Sequence, residues 1–465
     1  MKKIYVDCSF LPENPELNTG IQRVVREIMR HMEHLATEDD YKVIPVNLSY
    51  GQFVPVDVKD LYRKKKKENI EPSLTFKFNT KELAKKGAMW FVLYLKQIYL
   101  AFLTLIAAIL YRPGVKAFLL APRNRFGLNM FIDKVLIQPA KALVRLIAIR
   151  IRHRDSSEFL PKSGDILLLL DSSWHMDIWP SVAKAKESGA KVIAVLYDII
   201  PVTHPEFCEE PLIPAFGKWF ESALEFVDGF IAISATVKND FSTFVENKYG
   251  PDHDKKLDFF HLGSDFNFTE INEDGIREQV RRVFDERPTY LMVSTLEPRK
   301  NHSYLLDTFD GLWAKGIDVN LCFIGRVGWK VDDLLERIKS NSEYQRRLFF
   351  WSDINDVELA YCYKHASMLV FPSFIEGFGL PIIESLGHGL PVLASDTPIH
   401  REVGLDHIGY FDLAHPGSLE KQIEGIEKNG IPDALRVDPD YRWLDWESST
   451  RMLLDKINKM LLTLK

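Results

Sequence analysis

Two glutamates eight positions apart, Glu376 and Glu384, bracket the string Gly377-Phe378-Gly379-Leu380-Pro381. The apolar run from Ser367 to Phe371 reads as a buried strand, which Pro372 and Ser373 end. Gly377 and Gly379 make a tight loop, and helical spacing begins at Leu380. Such a strand-to-helix turn offers free backbone N–H groups and the positive end of a helix, which attract an anion such as a diphosphate. The two carboxylates would repel that anion. They fit a ligand that carries hydroxyls beside its phosphates, and that is the chemistry of a sugar nucleotide. A second reactive cluster follows the strand-like run from Tyr290, where Arg299 and Lys300 stand together in Glu297-Pro-Arg-Lys-Asn301. A basic pair on such a turn offers fixed cations to an anion.

The elements that must place these groups alternate strand and helix, the pattern of parallel α/β sheets. Lys3 to Asp7 reads as a strand, and Ile21, Val24, Val25, Ile28 and Met32 set a helix that starts near Gly20. Strand, glycine and helix start form a second turn suited to an anion, although a plain helix cap explains Gly20 as well. Tyr41 to Ser49 is the next strand. After an interruption, Ile166 to Asp171, Lys191 to Pro201, Phe230 to Ser234 and Phe259 to Asp265 continue the sheet. Asp198, His204 and Ser234 fall at or beyond strand ends, where ligands collect in open parallel sheets. Ser234 and Gly263 have turn or cap explanations of equal weight. The second half repeats the rhythm. Val319 to Gly325 leads into a Gly-Arg-Val-Gly328 turn able to approach a nucleotide, and Arg347 to Trp351 ends at Ser352.

At Glu376-Gly-Phe-Gly-Leu-Pro381 and Glu384, with Gly387, Gly389 and Pro391 behind them, the sequence resembles the retaining, GT-B-fold glycosyltransferases of family 4. The resemblance extends to mannosyltransferase-like members of bacterial polysaccharide assembly. It implies an α/β fold of two Rossmann-like domains facing across a cleft. An acceptor-side domain would span residues 1–275, a nucleotide-sugar domain 276–440, and a C-terminal helix, 441–465, would cross back to the first. It also implies roles: Glu376 contacts the donor sugar, Glu384 the ribose, and Arg299 with Lys300 the diphosphate. Gly20, Gly325, Gly377, Phe378, Gly379 and Leu380 would surround the donor through their backbones, and Ser352 would lie at the base-binding edge. Asp198, His204 and Ser234 would line the acceptor side. Two departures stand out: Tyr197 precedes Asp198 where members often carry histidine, and Ser294-Thr295 replaces the usual Gly-Arg. The activity so implied is metal-independent, cofactor-free transfer of a hexose, best matched by mannose from GDP-mannose, to a lipid-linked or glycan acceptor in O-antigen, capsule or exopolysaccharide synthesis. A sugar-nucleotide epimerase of the same fold and a non-catalytic scaffold are the rival readings.

With 465 residues the chain exceeds what one core organises. Its four cysteines, Cys8, Cys208, Cys322 and Cys362, have no metal-ligand spacing and fit a reducing compartment. The start is too polar beyond residue 6 for a signal peptide, so a cytoplasmic location is expected. The interruption at 60–160 is the anomaly. Residues 61–155 carry 20 Lys and Arg against 5 Asp and Glu, a local charge of +15 in a chain of net charge −6, leaving −21 elsewhere. It opens with Arg63-Lys-Lys-Lys-Lys67, and Ala88 to Tyr111 holds 24 residues with one charge, Lys96. Strands on both sides belong to one sheet, so a single crossing would split a domain across the bilayer. An in-plane or hairpin anchor on an anionic membrane surface is expected, against a paired crossing or a helical insertion packed on its own domain. No aromatic-interleaved basic groove follows, so nucleic acid is not an expected partner. The expected partners are a nucleotide sugar, its acceptor and the cytoplasmic face of the inner membrane, with self-association or assembly with other glycan enzymes open.

Overall fold

The computed structural model describes residues 1–12, 20–49, 51–61, 161–250, 255–264, 275–415 and 417–464. The expected membrane anchor, from Arg63 on, lies outside them. Among the described residues no helix is long and apolar enough to cross a membrane.

Two sheets carry the fold. The first consists of β1 (Lys2–Asp7), β2 (Tyr41–Ser49), β3 (Gln52–Pro55), β4 (Ile166–Leu169), β5 (Lys191–Leu196), β6 (Gly229–Ala232) and β7 (Lys256–Phe259). The second consists of β8 (Thr289–Val293), β9 (Asn320–Ile324), β10 (Leu348–Trp351), β11 (Met368–Phe371), β12 (Val392–Ser395) and β13 (Gly409–Phe411). Their orders are β3-β2-β1-β4-β5-β6-β7 and β10-β9-β8-β11-β12-β13. All neighbours run parallel except the hairpin β2–β3. In both sheets the strand order reverses beside the opening strand, between β1 and β4 and between β8 and β11. Crevices at such switch points bind ligands in doubly wound folds. The helices that bear on them are α1 (Gly20–Glu38), α2 (Ala235–Tyr249), α3 (Leu380–Gly387), α4 (Pro398–Gly404) and α5 (Trp446–Thr463).

Strands buried on both faces explain the uninterrupted apolar runs. In the second sheet, Leu291, Cys322, Ile324, Leu369 and Phe371 turn to one core, while Tyr290, Met292, Leu321, Phe323, Met368 and Val370 turn to another. This is the period-2 alternation of the pleat. The first of these cores continues through the strands of the opening sheet and through α5, so the two sheets share hydrophobic cohesion.

Local chemistry moves two strand ends from their expected places. Lys191 to Pro201 does not run on as a strand: β5 stops at Leu196. The Asp198 carboxylate accepts the Ile200 N–H at 3.0 Å, which turns the chain into a short helix. The strand expected from Phe259 onward ends there, because the ladder with β6 runs over Lys256 to Phe259. After Phe260 the chain is held by the C-terminal segment, where Ser264 N–H reaches the Leu444 carbonyl at 2.9 Å.

The chain beyond residue 440 returns to the first sheet. Trp446, Leu453, Leu454, Ile457 and Met460 of α5 are buried, and Tyr41 Oη donates to Asn458 at 3.1 Å. Gly263 permits this crossing, since a Cβ there would meet the Asp445 carbonyl and Trp446 Cα at 2.6 Å. Backbone atoms cannot yield as a side-chain end can. We therefore expect Gly263→Ala to lower stability by about 1–3 kcal/mol in chemical denaturation. Gly217→Ala, in a helix with nothing within 4 Å of its Cβ, should be neutral or slightly stabilising. Equal effects of the two would refute the crossing constraint.

Candidate functional site

β8 and β11 are adjacent parallel strands, so the loops that leave their C-terminal ends emerge side by side. The β8 loop carries a 3-10 turn, Pro298–Lys300, and the β11 loop carries Glu376. Glu376 Oε2 accepts from Arg299 Nη1 at 2.5 Å, and Glu376 Oε1 pairs with Lys300 Nζ. Arg299 Nε also donates to Glu297 at 2.9 Å, and Phe374 N–H bonds the Arg299 carbonyl at 2.9 Å. The pair is therefore not a solvated turn: Lys300 is 9% and Glu376 6% exposed.

Burial acts on every charge here. It would raise the Glu376 carboxyl, yet Arg299 and Lys300 overcome it and hold that group at about 2. Lys300 is pushed down by burial and by Arg299. Burial works against the Arg299 cation too, but Glu376, Glu297 and Asp198 raise it. Asp198 is raised by burial while Arg299 pulls it the other way. The end of β5 thus faces the cluster electrostatically.

The glycines divide by role. Gly377 lies against the first sheet, where a Cβ would overlap the Tyr197 carbonyl, and its own carbonyl accepts from Ser234 Oγ at 3.0 Å. Ser234 at the same time caps α2 by accepting the Val237 N–H. Gly379 stands at φ +103°, left-handed backbone that opens α3, and no side chain caps that helix. Leu380 and Pro381 begin it. Phe378 is buried against the rings of His261 and Trp443, which leaves its backbone as the part able to meet a ligand. Gly325 is required by packing, because a Cβ would overlap the Ser294 carbonyl. Gly20 opens α1 at φ +44° with no atom crowding it.

Of the acceptor-side residues, Asp198 and Ser234 meet the Gly377 loop and His204 does not share those contacts. Its ring faces Thr203 and Phe207 instead. Ser352 lies exposed at the end of the edge strand β10.

Sequence reasoning passed over several residues. Glu384 on α3 is paired with Arg23 from α1, and Tyr363 Oη donates to its other oxygen at 3.0 Å. Glu402 on α4 accepts the Ala235 and Thr236 N–H groups at 2.7 Å each, Thr236 Oγ1 at 2.6 Å, and pairs with His261 at 2.7 Å. A carboxylate of the second domain thereby fills the positive end of a first-domain helix. Glu297 had a local signal, lying two residues before Arg299. Arg23 and Glu402 had none, since their partners are distant in the chain.

Two doubly wound sheets, each with its switch point beside the opening strand, make up the GT-B fold. Residues 276–437 match the family model for glycosyl transferases group 1. The serotype-specific mannosyltransferase WbdA of Escherichia coli is 31% identical over 305 residues, 63% of this chain and 37% of that protein. The O-antigen chain mannosyltransferase B of Escherichia coli is 35% identical over 114 residues, 24% of this chain and 30% of that protein. The chain spans little more than a third of the length of the WbdA proteins it matches. Among solved structures, Anabaena Alr3699/HepE in complex with UDP and glucose superposes with a TM-score of 0.53 at 12% identity, covering 100% of both chains. It shows the same fold.

The depressed Glu376 makes a signed prediction. Its ordinary value is 4.5 and its folded value about 2, so its stabilising contribution is complete above about pH 5.5 and fades as pH falls from 4.5 towards 2. Glu376→Gln should cost about 3–5 kcal/mol at neutral pH, as removing one partner of a buried ion pair does. The gap between wild type and variant in urea denaturation should narrow below pH 4.5. A gap that stays constant to pH 3 would contradict the pairing.

Proposed function

We propose that the protein is a retaining, metal-independent glycosyltransferase that moves mannose from GDP-mannose to a lipid-linked or polysaccharide acceptor in bacterial surface glycan synthesis. The observation that carries this reading is the convergence of Arg299 and Lys300 on Glu376, beside the uncapped start of α3. The mannosyl choice is supported by the relatives named as O-antigen mannosyltransferases.

In the unliganded protein the two cations are neutralised by carboxylates. A sugar nucleotide supplies what each half of those pairs needs: phosphates for Arg299 and Lys300, hydroxyls for Glu376 and Glu384. The backbone at Gly377 to Leu380 adds N–H donors to the diphosphate. As the anomeric carbon–phosphate oxygen bond breaks, charge grows on the leaving group, and the fixed cations stabilise it without rearranging. The acceptor hydroxyl attacks from the face the diphosphate leaves, and its proton passes to the departing phosphate oxygen. Configuration is retained and no side-chain base is required. Asp198 and Ser234, brought against Gly377 from the first domain, bound the acceptor side. The seam between the domains excludes water and so limits hydrolysis of the donor.

The location that fits is the cytoplasmic face of the inner membrane, with the basic, apolar segment from Arg63 as the attachment. Lipid-linked acceptors reside there.

Radiolabelled GDP-mannose, offered beside other nucleotide sugars with extracted bacterial lipids, tests the assignment. Product should appear with GDP-mannose and carry an α-linked sugar, and Glu376→Ala should reduce transfer by roughly 10²-fold or more. Conversion of the nucleotide sugar to its epimer without transfer would establish the epimerase reading. Absence of turnover with every donor would leave the scaffold.

A further inference from the structure

One charge at the site comes from the domain that was not expected to supply it. Arg23 lies in the first turn of α1, three residues after Gly20, and its guanidinium pairs with Glu384 on α3 of the other domain. Its side chain is 34% exposed, so it is half-withdrawn from water yet reachable from the cleft. Glu384 is held from both sides: Tyr363 Oη donates to Oε2 at 3.0 Å, and the Tyr363 ring stacks on His388 at 5.1 Å. The Tyr363 bond lies within the second domain, whereas the Arg23 bond spans the two domains.

Helix geometry places Glu384 about one turn along α3, so Arg23 stands within roughly 6 Å along the axis of the helix start where an anion is favoured. A carboxylate there is a stand-in. Glu384 can exchange Arg23 for neutral hydroxyl donors while keeping Tyr363, and the freed guanidinium then needs a new anion. Arg23 suits one well, since its planar fork binds phosphate oxygens in pairs.

We propose that Arg23 is a donor-binding residue: the cation that the first domain contributes to a bound nucleoside diphosphate, released from Glu384 when ribose hydroxyls occupy that carboxylate. The inference rests on the donor site of the proposed function. It adds that the diphosphate is held from both domains, by Arg299 and Lys300 on one side and Arg23 on the other. Donor binding then carries the seam contact from protein to ligand, with Glu384 hydrogen-bonded at both stages.

Calorimetric titration of the full chain with GDP, UDP and the matching nucleosides tests this. Thermal melts of Arg23→Ala and Arg23→Gln check that each variant is folded, and Arg23→Lys keeps the charge if both are not. Arg23→Ala and Arg23→Gln should bind the preferred nucleoside diphosphate roughly tenfold or more weakly, with the nucleoside unaffected. Arg23→Lys should recover part of the loss, and the salt dependence of binding should flatten in the neutral variants. Unchanged or tighter diphosphate binding by the neutral variants, in a protein whose wild type binds, overturns the role of Arg23 alone and leaves it as a mask on Glu384. A wild type that binds none of these diphosphates overturns the donor site and this role together.

Discussion

Ionised groups taken out of water cost several kcal/mol each, and the site survives that cost only because its charges are mutually paired. Glu297, Arg299, Glu376 and Lys300 form a run of contacts in which carboxylate and cation alternate. Remove Arg299 or Glu376, the two inner members, and a buried partner loses its opposite charge. The topology serves this requirement. Because β8 and β11 are neighbours in register, Met368 beside Tyr290 and Leu369 beside Leu291, two loops far apart in the chain begin from fixed, adjacent points. A one-residue slip of either strand would reverse the faces of its side chains and misplace the charges beyond.

The seam between the domains is made from the same currency of polar contacts. Arg23 meets Glu384, Ser234 meets the Gly377 carbonyl, and Glu402 meets the opening amides of α2 and His261. Trp329 Nε1 adds a bond to the Phe207 carbonyl at 2.8 Å, and the Phe207 and Phe374 rings stack at 5.6 Å. Each polar contact has a replacement in water or in a ligand, so opening the seam leaves no group stranded. The contiguous core around α5, with Trp446 fully buried, has no such replacement. Permanent cohesion and exchangeable closure are thus carried by different chemistry in different places.

This division explains what was legible in the sequence. The period of apolar residues disclosed both sheets and α1, since burial on two faces leaves an unmistakable run. The loop from Glu376 to Glu384 was legible because its glycines, prolines and carboxylates are contiguous and act through local backbone geometry. Strand ends were misread where one side chain decides them, as Asp198 does by capturing the Ile200 N–H. Gly325, expected beside the nucleotide, also has a packing reason invisible in the sequence, the close approach of the Ser294 carbonyl. Arg23 and Glu402 were invisible. A charged residue in a helical sequence carries no mark of a partner far away in the chain, and only the folded arrangement supplies it.

The cluster also weighs on the choice between catalysis and mere scaffolding. Buried ion pairs are often no more stable than well-packed apolar residues of similar volume, and replacing them is frequently neutral or stabilising. A protein that needed only the fold would gain nothing by keeping Arg299 and Lys300 desolvated beside Glu376. On the proposed function the same charges have a use, because a diphosphate would take the cations and hydroxyls would take the carboxylates. The proposed function thus accounts for a charge cluster that stability alone does not require.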